Sequence, residues 1–340
     1  MARMQSLLKD KLHRPLRDLR ISVTDRCNFR CTYCMPKDVF DKNYPFLNKS
    51  QLLTDDEIIR LSKLFVKSGV KKIRITGGEP LLRRNLDKII SQLSRIEEVE
   101  DIALTTNGVL LPKKAKQLKN AGLKRVTVSL DSLSDKRFGK INGQGIPVSS
   151  VLTGIASAEE AGLEVKINMM VQKDVNDDEI INMIRHFEGS GHILRFIEFM
   201  DVGNSNQWSL KKVLTKKEIL EKIKQFYTVE PLDQNYFGEV ASRFRIKETG
   251  EEIGIISSIS DAFCSSCTRA RLSADGSVYT CLFSSYGTSL RNPLRNGESD
   301  DMLLERIEEL WQHRSDQYSK ERRHIQDDKK RKIEMSYIGG

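Results

Sequence analysis

The first twenty residues of the sequence, Met1 to Arg20, lack any apolar run that would suit a signal peptide or a membrane span. The reducing cytosol is therefore the expected compartment, and a cytoplasmic location is predicted. No cysteine lies outside two groups of three, and a chain of 340 residues can bury a large core without disulfides. These absences exclude a small secreted module that depends on disulfide bonds.

Aromatic residues make up only 7% of the sequence, and they do not alternate with its basic residues despite a formal net charge of +9. A stacking groove for nucleic acid needs such alternation, so neither a nucleic acid nor a membrane is predicted as a partner. Much of the positive excess lies near the C-terminus, where acidic residues are interleaved with it. This pattern favours a solvated basic surface. The residues concerned are Arg322, Arg323, Asp327, Asp328, Lys329, Lys330, Arg331 and Lys332.

A short pattern of a small residue, a glycine and alternating apolar residues recurs along the first two thirds of the chain. Each copy indicates the end of a helix followed by a strand, because glycine suits the left-handed position after a helix. Amphipathic segments such as 55–67, with Thr54 as its N-cap, and 113–120 supply the helices. With further strands at 19–23 and 101–104, the pattern predicts six parallel strands separated by helices. The copies begin at Ser68, Ala121, Ala161 and Ser190.

One face of the predicted sheet is polar on most strands, whereas the other carries branched apolar side chains. A closed barrel fills its interior with apolar side chains, so this pattern predicts a sheet curved around a polar, anionic ligand. The alternative is a sheet with one solvated face. Polar residues at the strand ends favour the ligand, because α/β folds place their sites there. The polar face carries Arg20, Ser22, Arg74, Thr76, Thr105, Thr127, Ser129, Lys166 and Asn168.

Three cysteines, Cys27, Cys31 and Cys34, follow the end of the first predicted strand. Three thiolates can bind three irons of a four-iron, four-sulfur cluster and leave the fourth iron open to activate a substrate. A structural zinc ion would need a fourth protein ligand. His13 and Asp25 are available, but neither has the spacing of a zinc finger. An open-iron cluster is favoured, and zinc stays as the alternative.

A second trio, Cys264, Cys267 and Cys281, again leaves one iron of a cluster open. A hairpin turn at 274–276 is predicted to bring the third of these cysteines back beside the first two. Arg269 and Arg271 are two residues apart on the same predicted strand, so both point to the same side. Guanidinium groups suit phosphate oxygens, and the pair therefore predicts a phosphate-binding wall beside this trio.

The first trio resembles the Cys-x3-Cys-x2-Cys signature of radical S-adenosylmethionine enzymes, including the aromatic Tyr33 before the last cysteine. Gly77-Gly78-Glu79-Pro80 is similar to the GGEP motif of that superfamily. The resemblance implies an α/β fold with a partial six-stranded (β/α)6 barrel. It also implies S-adenosylmethionine as a cofactor, with the methionine portion bound by the open iron of the first four-iron, four-sulfur cluster.

The C-terminal half resembles one family within that superfamily, the GTP 3′,8-cyclases of molybdenum cofactor biosynthesis. The resemblance rests on the second trio with Arg269-Ala270-Arg271, on 19–27, and on the final Gly339 and Gly340. His13 departs from the family pattern, in which glycine is expected. The resemblance implies a barrel domain at 1–225 and a C-terminal α+β domain at 226–340 that holds a second four-iron, four-sulfur cluster. The segment from Trp208 to Glu252 carries little family signature.

The resemblance also implies a reaction and its site. A 5′-deoxyadenosyl radical would start the conversion of GTP to 3′,8-cyclo-7,8-dihydro-GTP, with no catalytic side chain assigned and the two final glycines as contributors. The cofactor pocket would include Tyr33, Gly78, Ser129 and Met200. GTP would be held by Arg20, Arg74, Thr105, Lys166, Arg195, Arg269 and Arg271, and the two clusters by Cys27, Cys31, Cys34, Cys264, Cys267 and Cys281.

Partners follow from the same resemblance. It implies GTP as the substrate, an electron donor for the clusters, a homodimer, and a following enzyme of molybdenum cofactor biosynthesis that takes the product. Two other classes stay open. A radical enzyme acting on a peptide would share both trios but would need fewer basic strand residues, and a zinc or nucleic-acid binding module would lack the radical chemistry.

Overall fold

The computed structural model describes residues 8–325 and 332–340, and the predicted basic segment between Asp327 and Arg331 lies outside these residues. The described chain forms one twelve-stranded sheet. Its strands are β1 (Asp18–Ser22), β2 (Lys72–Thr76), β3 (Asp101–Thr106), β4 (Arg125–Ser129), β5 (Glu164–Val171), β6 (Ile193–Glu198), β7 (Val229–Leu232), β8 (Ser242–Ile246), β9 (Glu252–Ile256), β10 (Arg269–Leu272), β11 (Ser277–Tyr279) and β12 (Thr288–Ser289).

Strands β1 to β6 lie side by side in chain order and every neighbouring pair is parallel. This arrangement confirms the six predicted strands and the α/β class. The four glycines of the repeated pattern, Gly69, Gly122, Gly162 and Gly191, all have positive φ angles, between 72° and 113°. Each glycine therefore occupies the left-handed position that a side chain disfavours.

The C-terminal strands extend the central sheet at both of its edges. Strand β10 pairs in parallel with β1, and β9 pairs in parallel with β6. Antiparallel pairing then adds β11 and β12 beside β10 at one end of the sheet, and β8 and β7 beside β9 at the other. The predicted turn at 274–276 connects β10 to β11, with Gly276 at a φ of 82°. The division of the chain at residue 225 stays a prediction.

Helices cover the apolar side of the sheet. Thr54 caps the first helix as predicted, because its hydroxyl accepts from Glu57 N and Glu57 in turn accepts from Thr54 N at 2.7 Å. The helices are α1 (Asp55–Lys67), α2 (Leu86–Leu93), α3 (Leu111–Asn120), α4 (Asp135–Asn142), α5 (Val148–Glu160), α6 (Ile180–Phe187), α7 (Lys216–Lys224), α8 (Arg291–Arg295), α9 (Asp300–Gln312), α10 (Tyr318–Ile325) and α11 (Met335–Ile338).

The predicted apolar face of the sheet forms the core with these helices. Ile21, Ile75, Val126, Val128 and Ile167 are all buried in one continuous apolar cluster. Their alternation with polar neighbours is the strand period seen in the sequence, so burying the apolar face leaves the polar side chains on the opposite side. No helix among the described residues is long and apolar enough to cross a membrane.

Arg322 corrects the prediction of a solvated basic surface near the C-terminus. It is only 6% exposed, and its Nε donates to Asp201 at 3.0 Å. Lys332 also contacts Asp201, with its Nζ 2.8 Å from Oδ2. The interleaved charges at 322–332 predicted exposure to solvent. The partner, Asp201, lies far away in the sequence, so no local pattern indicates this buried ion pair.

Candidate active site

The polar side of the sheet encloses a cavity of about 370 Å³, a size typical of small-molecule sites. The predicted site residues converge there, from strands that are far apart in the sequence. Gly339 does not line the cavity, but its carbonyl oxygen accepts a hydrogen bond from a cavity residue, Arg271. The cavity is lined by Arg20, Cys27, Cys31, Tyr33, Cys34, Arg74, Gly78, Thr105, Ser129, Lys166, Arg195, Met200, Cys264, Cys267, Arg269, Arg271, Cys281 and Gly340, among others.

The first cysteine trio lies on a loop that leaves β1. The backbone N–H of Phe29 donates to Cys27 Sγ at 3.3 Å, and Cys34 N donates to the Cys31 carbonyl at 3.0 Å. Arg30 holds this loop, because its Nη1 donates to the Cys27 carbonyl at 2.8 Å and its Nε to the Phe40 carbonyl at 2.7 Å. The loop that carries the thiols is therefore held by hydrogen bonds to its backbone.

Burial raises the pKa of Cys27 to about 12, and it also raises the pKa values of Cys31 and Cys34. Cys27 raises the pKa of both other thiols, and Cys34 also raises the pKa of Cys31, which places the three within electrostatic reach. Such thiols become thiolates only when a cation compensates them, as iron does.

The arrangement of the cysteines fits a cluster better than a single metal ion. Among the described residues, no group of three or more His, Cys, Asp or Glu side chains converges on one metal position. A cubane cluster binds each cysteine through a different iron, so its ligands are spread apart. His13, proposed as a zinc ligand, is exposed, and Asp25 instead accepts from Leu47 N at 2.6 Å.

The GGEP segment packs directly on the strand end that precedes the first trio. Gly78 N donates to the Thr24 carbonyl at 2.7 Å, and a Cβ on Gly78 would lie 2.4 Å from the Arg26 carbonyl oxygen. Only glycine permits this approach. Glu79 joins the segment to β3, because its carboxylate accepts from the Thr106 hydroxyl and Asn107 N, both at 2.8 Å. Burial raises the pKa of Glu79 to about 7.

Tyr33 is tied to the end of β4 through Asp131. The Tyr33 hydroxyl donates to Asp131 Oδ2 at 2.8 Å, and Oδ1 accepts from Met170 N at 2.9 Å. Burial raises the pKa of Asp131 to about 6. These contacts fix Tyr33 beside Cys34 on the same cavity wall as Ser129 and Met200.

The second cysteine trio lies at the other end of the cavity wall formed by β10. Cys264 begins a single helical turn, Cys267 follows it, and the β10–β11 hairpin brings Cys281 back toward them, as predicted. Burial would raise the pKa of Cys267, but Arg269 and Arg314 lower it to about 7. Burial raises the pKa of Cys281 to about 12. This trio therefore combines buried sulfur with nearby positive charge.

Between the two trios, arginines lie side by side on adjacent strands. Arg20 is in register with Arg271 on one neighbouring strand and with Arg74 on the other. Burial lowers the pKa of Arg20, and Arg271 and Arg74 lower it further through like-charge repulsion. Arg74 donates to the hydroxyls of Thr105 and Thr127 at 3.3 and 3.2 Å. A polyanion in the cavity would relieve this concentration of positive charge.

The side chains of Arg271, Arg20 and Arg74 form a basic wall of the cavity. Lys166 on β5 and Arg195 on β6 extend this basic wall. Arg195 Nη2 donates to the Thr127 hydroxyl at 3.1 Å, whereas its buried Nε has no partner among the described residues. Burial lowers the pKa of both side chains. Lys166 pairs with Glu164 at 3.2 Å, but the unused buried donor of Arg195 is costly unless an anion binds there.

The C-terminal tail enters the cavity from α11. The Thr76 hydroxyl lies 3.4 Å from the Gly340 carbonyl oxygen, and a Cβ on Gly339 would lie 2.3 Å from Thr76 Cγ2. Gly339 also has a φ of 76°. Both observations explain why glycine is needed in this tail.

Sequence reasoning missed several side chains that shape this site. The sequence did carry a signal for Asp131 and Glu79, because both follow the ends of predicted strands, where sites of α/β folds lie. Arg14 and Arg314, which contact the second trio, had none, because their partners are distant in the sequence. Tyr236, in the segment without family signature, closes the base of the cavity with its ring 3.1 Å from Lys72 Nζ.

Comparisons with known proteins agree with this geometry. A family model described as the Radical SAM superfamily matches residues 21–187, and one described as Molybdenum Cofactor Synthesis C matches residues 192–320. GTP 3′,8-cyclases of Staphylococcus epidermidis and Staphylococcus aureus are 53% and 51% identical over 340 residues, covering 99% of this chain and 100% of each relative.

A solved structure shares the fold at low sequence identity. Streptococcus suis SuiB, bound to the precursor peptide SuiA, has a TM-score of 0.62 at 15% identity, covering 88% of this chain and 66% of that chain. The fold and the cysteine-lined cavity thus define a class, the radical S-adenosylmethionine enzymes. Within that class, the full-length relatives decide the family: the chain belongs to the GTP 3′,8-cyclases. This assignment confirms the family resemblance noted in the sequence.

Proposed function

We propose that this protein converts GTP to 3′,8-cyclo-7,8-dihydro-GTP, the first step of molybdenum cofactor biosynthesis, as the names of its family and relatives suggest. One observation supports the proposal most strongly: Arg271, Arg20 and Arg74 are in register on adjacent strands and line one cavity together with both cysteine trios. The arginines suit a triphosphate, and each trio suits a cluster with one open iron.

The basic wall gives the substrate its orientation in this proposal. Arg20, Arg74 and Arg195, with Thr105 and Lys166, would hold the triphosphate. Arg269 and Arg271 lie on β10 beside Cys267 and would hold the part of GTP next to the second trio. Binding of GTP at both ends would fix the ribose between the trios. A fixed ribose favours abstraction of hydrogen from one of its carbons.

The first trio, with Tyr33, Gly78, Ser129 and Met200, would hold a cluster and S-adenosylmethionine. When bound and reduced, they would supply a 5′-deoxyadenosyl radical for abstraction of a hydrogen atom from the GTP ribose. The chain would limit the access of water to this step through the glycine tail and the 235–241 segment, which both contribute residues to the cavity lining. Exclusion of water protects a reactive radical from side reactions.

Several features of the biological context are part of the proposal. We infer an electron donor for the clusters, a homodimer, a cytoplasmic location, and release of the product to the next enzyme of the pathway. The division into a barrel domain at 1–225 and a C-terminal domain at 226–340 is proposed on the same family grounds.

An anaerobic assay tests the proposed reaction. The protein is reconstituted with iron and sulfide and given S-adenosylmethionine, dithionite and GTP, and products are followed by mass spectrometry. The proposal expects GTP-dependent formation of 5′-deoxyadenosine and a product isomeric with GTP. The matched controls are ATP in place of GTP and a Cys264→Ser, Cys267→Ser, Cys281→Ser variant.

The assay also separates the other readings of the sequence. Cleavage of S-adenosylmethionine without conversion of GTP would keep radical chemistry and point to another substrate, such as a peptide. Zinc without iron or sulfide in the purified protein would instead favour a binding module. Either result would overturn the proposed function.

A further inference from the structure

Two arginines lie buried behind the second cysteine trio. The side chains of Arg14 and Arg314 are each only 1% exposed. Arg14 Nη1 donates to the Cys264 carbonyl at 2.8 Å, and Arg314 Nη1 donates to the Cys267 carbonyl at 2.7 Å. The two guanidinium groups therefore hold the backbone of the loop that presents these cysteines.

Carboxylates fix the two arginines in turn. Asp10 Oδ2 lies 2.5 Å from Arg14 Nε and 3.5 Å from Arg314 Nη1. Asp316 accepts from Arg314 Nε at 3.2 Å, and its backbone oxygen accepts from Arg14 Nη1 at 2.9 Å. Two arginines and two aspartates balance in charge, which makes their burial tolerable. With its charges balanced in this way, the network can also act on the trio through directed N–H groups.

One nitrogen of this network lacks an acceptor within the described part of the chain. Arg14 Nη2 is buried and has no hydrogen-bond partner among the described residues. Arg14 lines the cavity together with Cys264, and its other terminal nitrogen already contacts that cysteine. An unpaired donor on a buried charged group is expensive, so a ligand acceptor beside the trio is expected.

Arg314 shows the contrast. Its Nε, Nη1 and Nη2 all have acceptors, in Asp316 and Cys267. Arg314 thus completes its hydrogen bonds without any bound group. Arg14 does not, although both side chains are equally buried and equally tied to the trio.

We propose that Arg14 Nη2 donates an N–H···S hydrogen bond to the iron-sulfur cluster held by Cys264, Cys267 and Cys281, and thereby raises its reduction potential. The inference rests on the proposed function, which places a cluster at this trio. A hydrogen bond to a cluster sulfur stabilises the reduced form, because reduction adds negative charge to the sulfur. Arg14 is a positioning residue in this account and takes no part in the bond changes on GTP.

The test isolates the second cluster. A background carrying Cys27→Ser, Cys31→Ser and Cys34→Ser leaves only the second trio to bind iron. In this background we compare the native residue with Arg14→Lys, which keeps the positive charge but lacks the guanidinium group with its two terminal nitrogens. The readouts are iron content, circular dichroism and the midpoint potential from a dithionite titration followed by electron paramagnetic resonance.

Arg14→Lys is expected to keep its iron and to show a roughly tenfold less favourable reduction equilibrium, which is about 59 mV for a one-electron couple. Arg83→Lys is the matched control, because Arg83 also donates to two backbone carbonyls and pairs with an aspartate, Asp55, away from this trio. Its potential is expected to equal that of the background protein.

If Arg14→Lys does not fold, Asp10→Asn combined with Arg14→Gln removes both charges together and serves as the second variant. An unchanged potential in a folded, iron-loaded variant would overturn the inference. A folded variant without iron would overturn it too, because a tuning residue leaves the cluster bound. Failure of the proposed function looks different: the background protein with Arg14 intact would bind no cluster at all.

Discussion

Arg271 donates a hydrogen bond to the carbonyl oxygen of Gly339, so the C-terminal tail is joined to the strand that runs beside the second cysteine trio. Arg271 is also in register with Arg20 at the centre of the basic wall. The tail therefore contacts a side chain that the proposed function gives to GTP. The guanidinium group of Arg271 is thus shared between the tail and the basic side chains of the cavity.

Gly339→Ala tests the role of the tail. A methyl group would clash with Thr76 and the φ of 76° would be strained, so the tail should leave its place. We expect turnover of GTP to fall about tenfold, which is about 1.4 kcal/mol in activation free energy. Gly297→Ala is the control, since Gly297 has a φ of 84° with open space around it. Normal turnover in both variants would contradict a role of the tail in the reaction. Normal turnover in a chain that lacks both final glycines would contradict it as well.

Arg269→Ala tests the proposed GTP contacts beside the second trio. Loss of a hydrogen bond from a charged group typically costs about 1.5–3 kcal/mol, so kcat/KM for GTP should fall roughly 10-fold to 100-fold. Cleavage of S-adenosylmethionine without GTP should continue at its normal rate, because Arg269 lies on β10 beside the second trio and has no assigned role at the first. Arg306→Ala, an exposed arginine paired with Glu298, is the control. Wild-type GTP affinity and turnover in Arg269→Ala would count against the assignment.

Asp131 predicts a pH dependence of stability in the metal-free protein. Burial raises the pKa of Asp131 from 3.8 to about 6, so the folded state binds its proton more tightly than the unfolded state does. Below pH 3.8 the carboxyl is neutral in both states; as the pH rises through 6, the folded state loses about 3 kcal/mol relative to the unfolded state. Asp131→Asn stays neutral and keeps the acceptor for Met170 N.

The difference in free energy of unfolding between Asp131→Asn and the native protein should therefore grow in favour of the variant between pH 4 and 6. Chemical denaturation at a series of pH values measures it. Parallel stability curves for the two proteins would show that Asp131 titrates normally.

Replacement of His13 by glycine is expected to stabilise the protein. It has a φ of 60°, where an ordinary side chain is disfavoured by about 1–2 kcal/mol, and glycine offsets part of its benefit through unfolded-state entropy of about 0.5–1 kcal/mol. His13→Gly should therefore raise the free energy of unfolding by about 0.5–1 kcal/mol. His13→Ala keeps a Cβ and should show no gain. A stability of His13→Gly at or below that of His13→Ala would refute the explanation.

Local patterns predicted the fold well because they depend on neighbours in the sequence. The alternation around Ile75 and Val128, the glycines after helices and the Thr54 cap each express backbone preferences of a few residues. The departure at His13 also proved informative, because its positive φ matches the glycine that the family pattern expects.

Long-range contacts could not be predicted in the same way. Asp10, Arg14, Arg314 and Asp316 form one buried network across some three hundred residues of chain, and nothing near Arg14 marks it as a neighbour of Cys264. The burial of Arg322 against Asp201 was missed for the same reason. A run of charged residues in a sequence usually predicts exposure to solvent. Only the folded chain shows which charged side chains form buried pairs.

The most direct test of the central claim follows one hydrogen atom. GTP carrying deuterium at the 3′ carbon is given to the reconstituted protein with S-adenosylmethionine and dithionite, and the 5′-deoxyadenosine is analysed by mass spectrometry. A cavity that fixes the ribose between the two cysteine trios predicts transfer of one deuterium to 5′-deoxyadenosine. Formation of 5′-deoxyadenosine without deuterium, at the rate seen without GTP, would contradict the account.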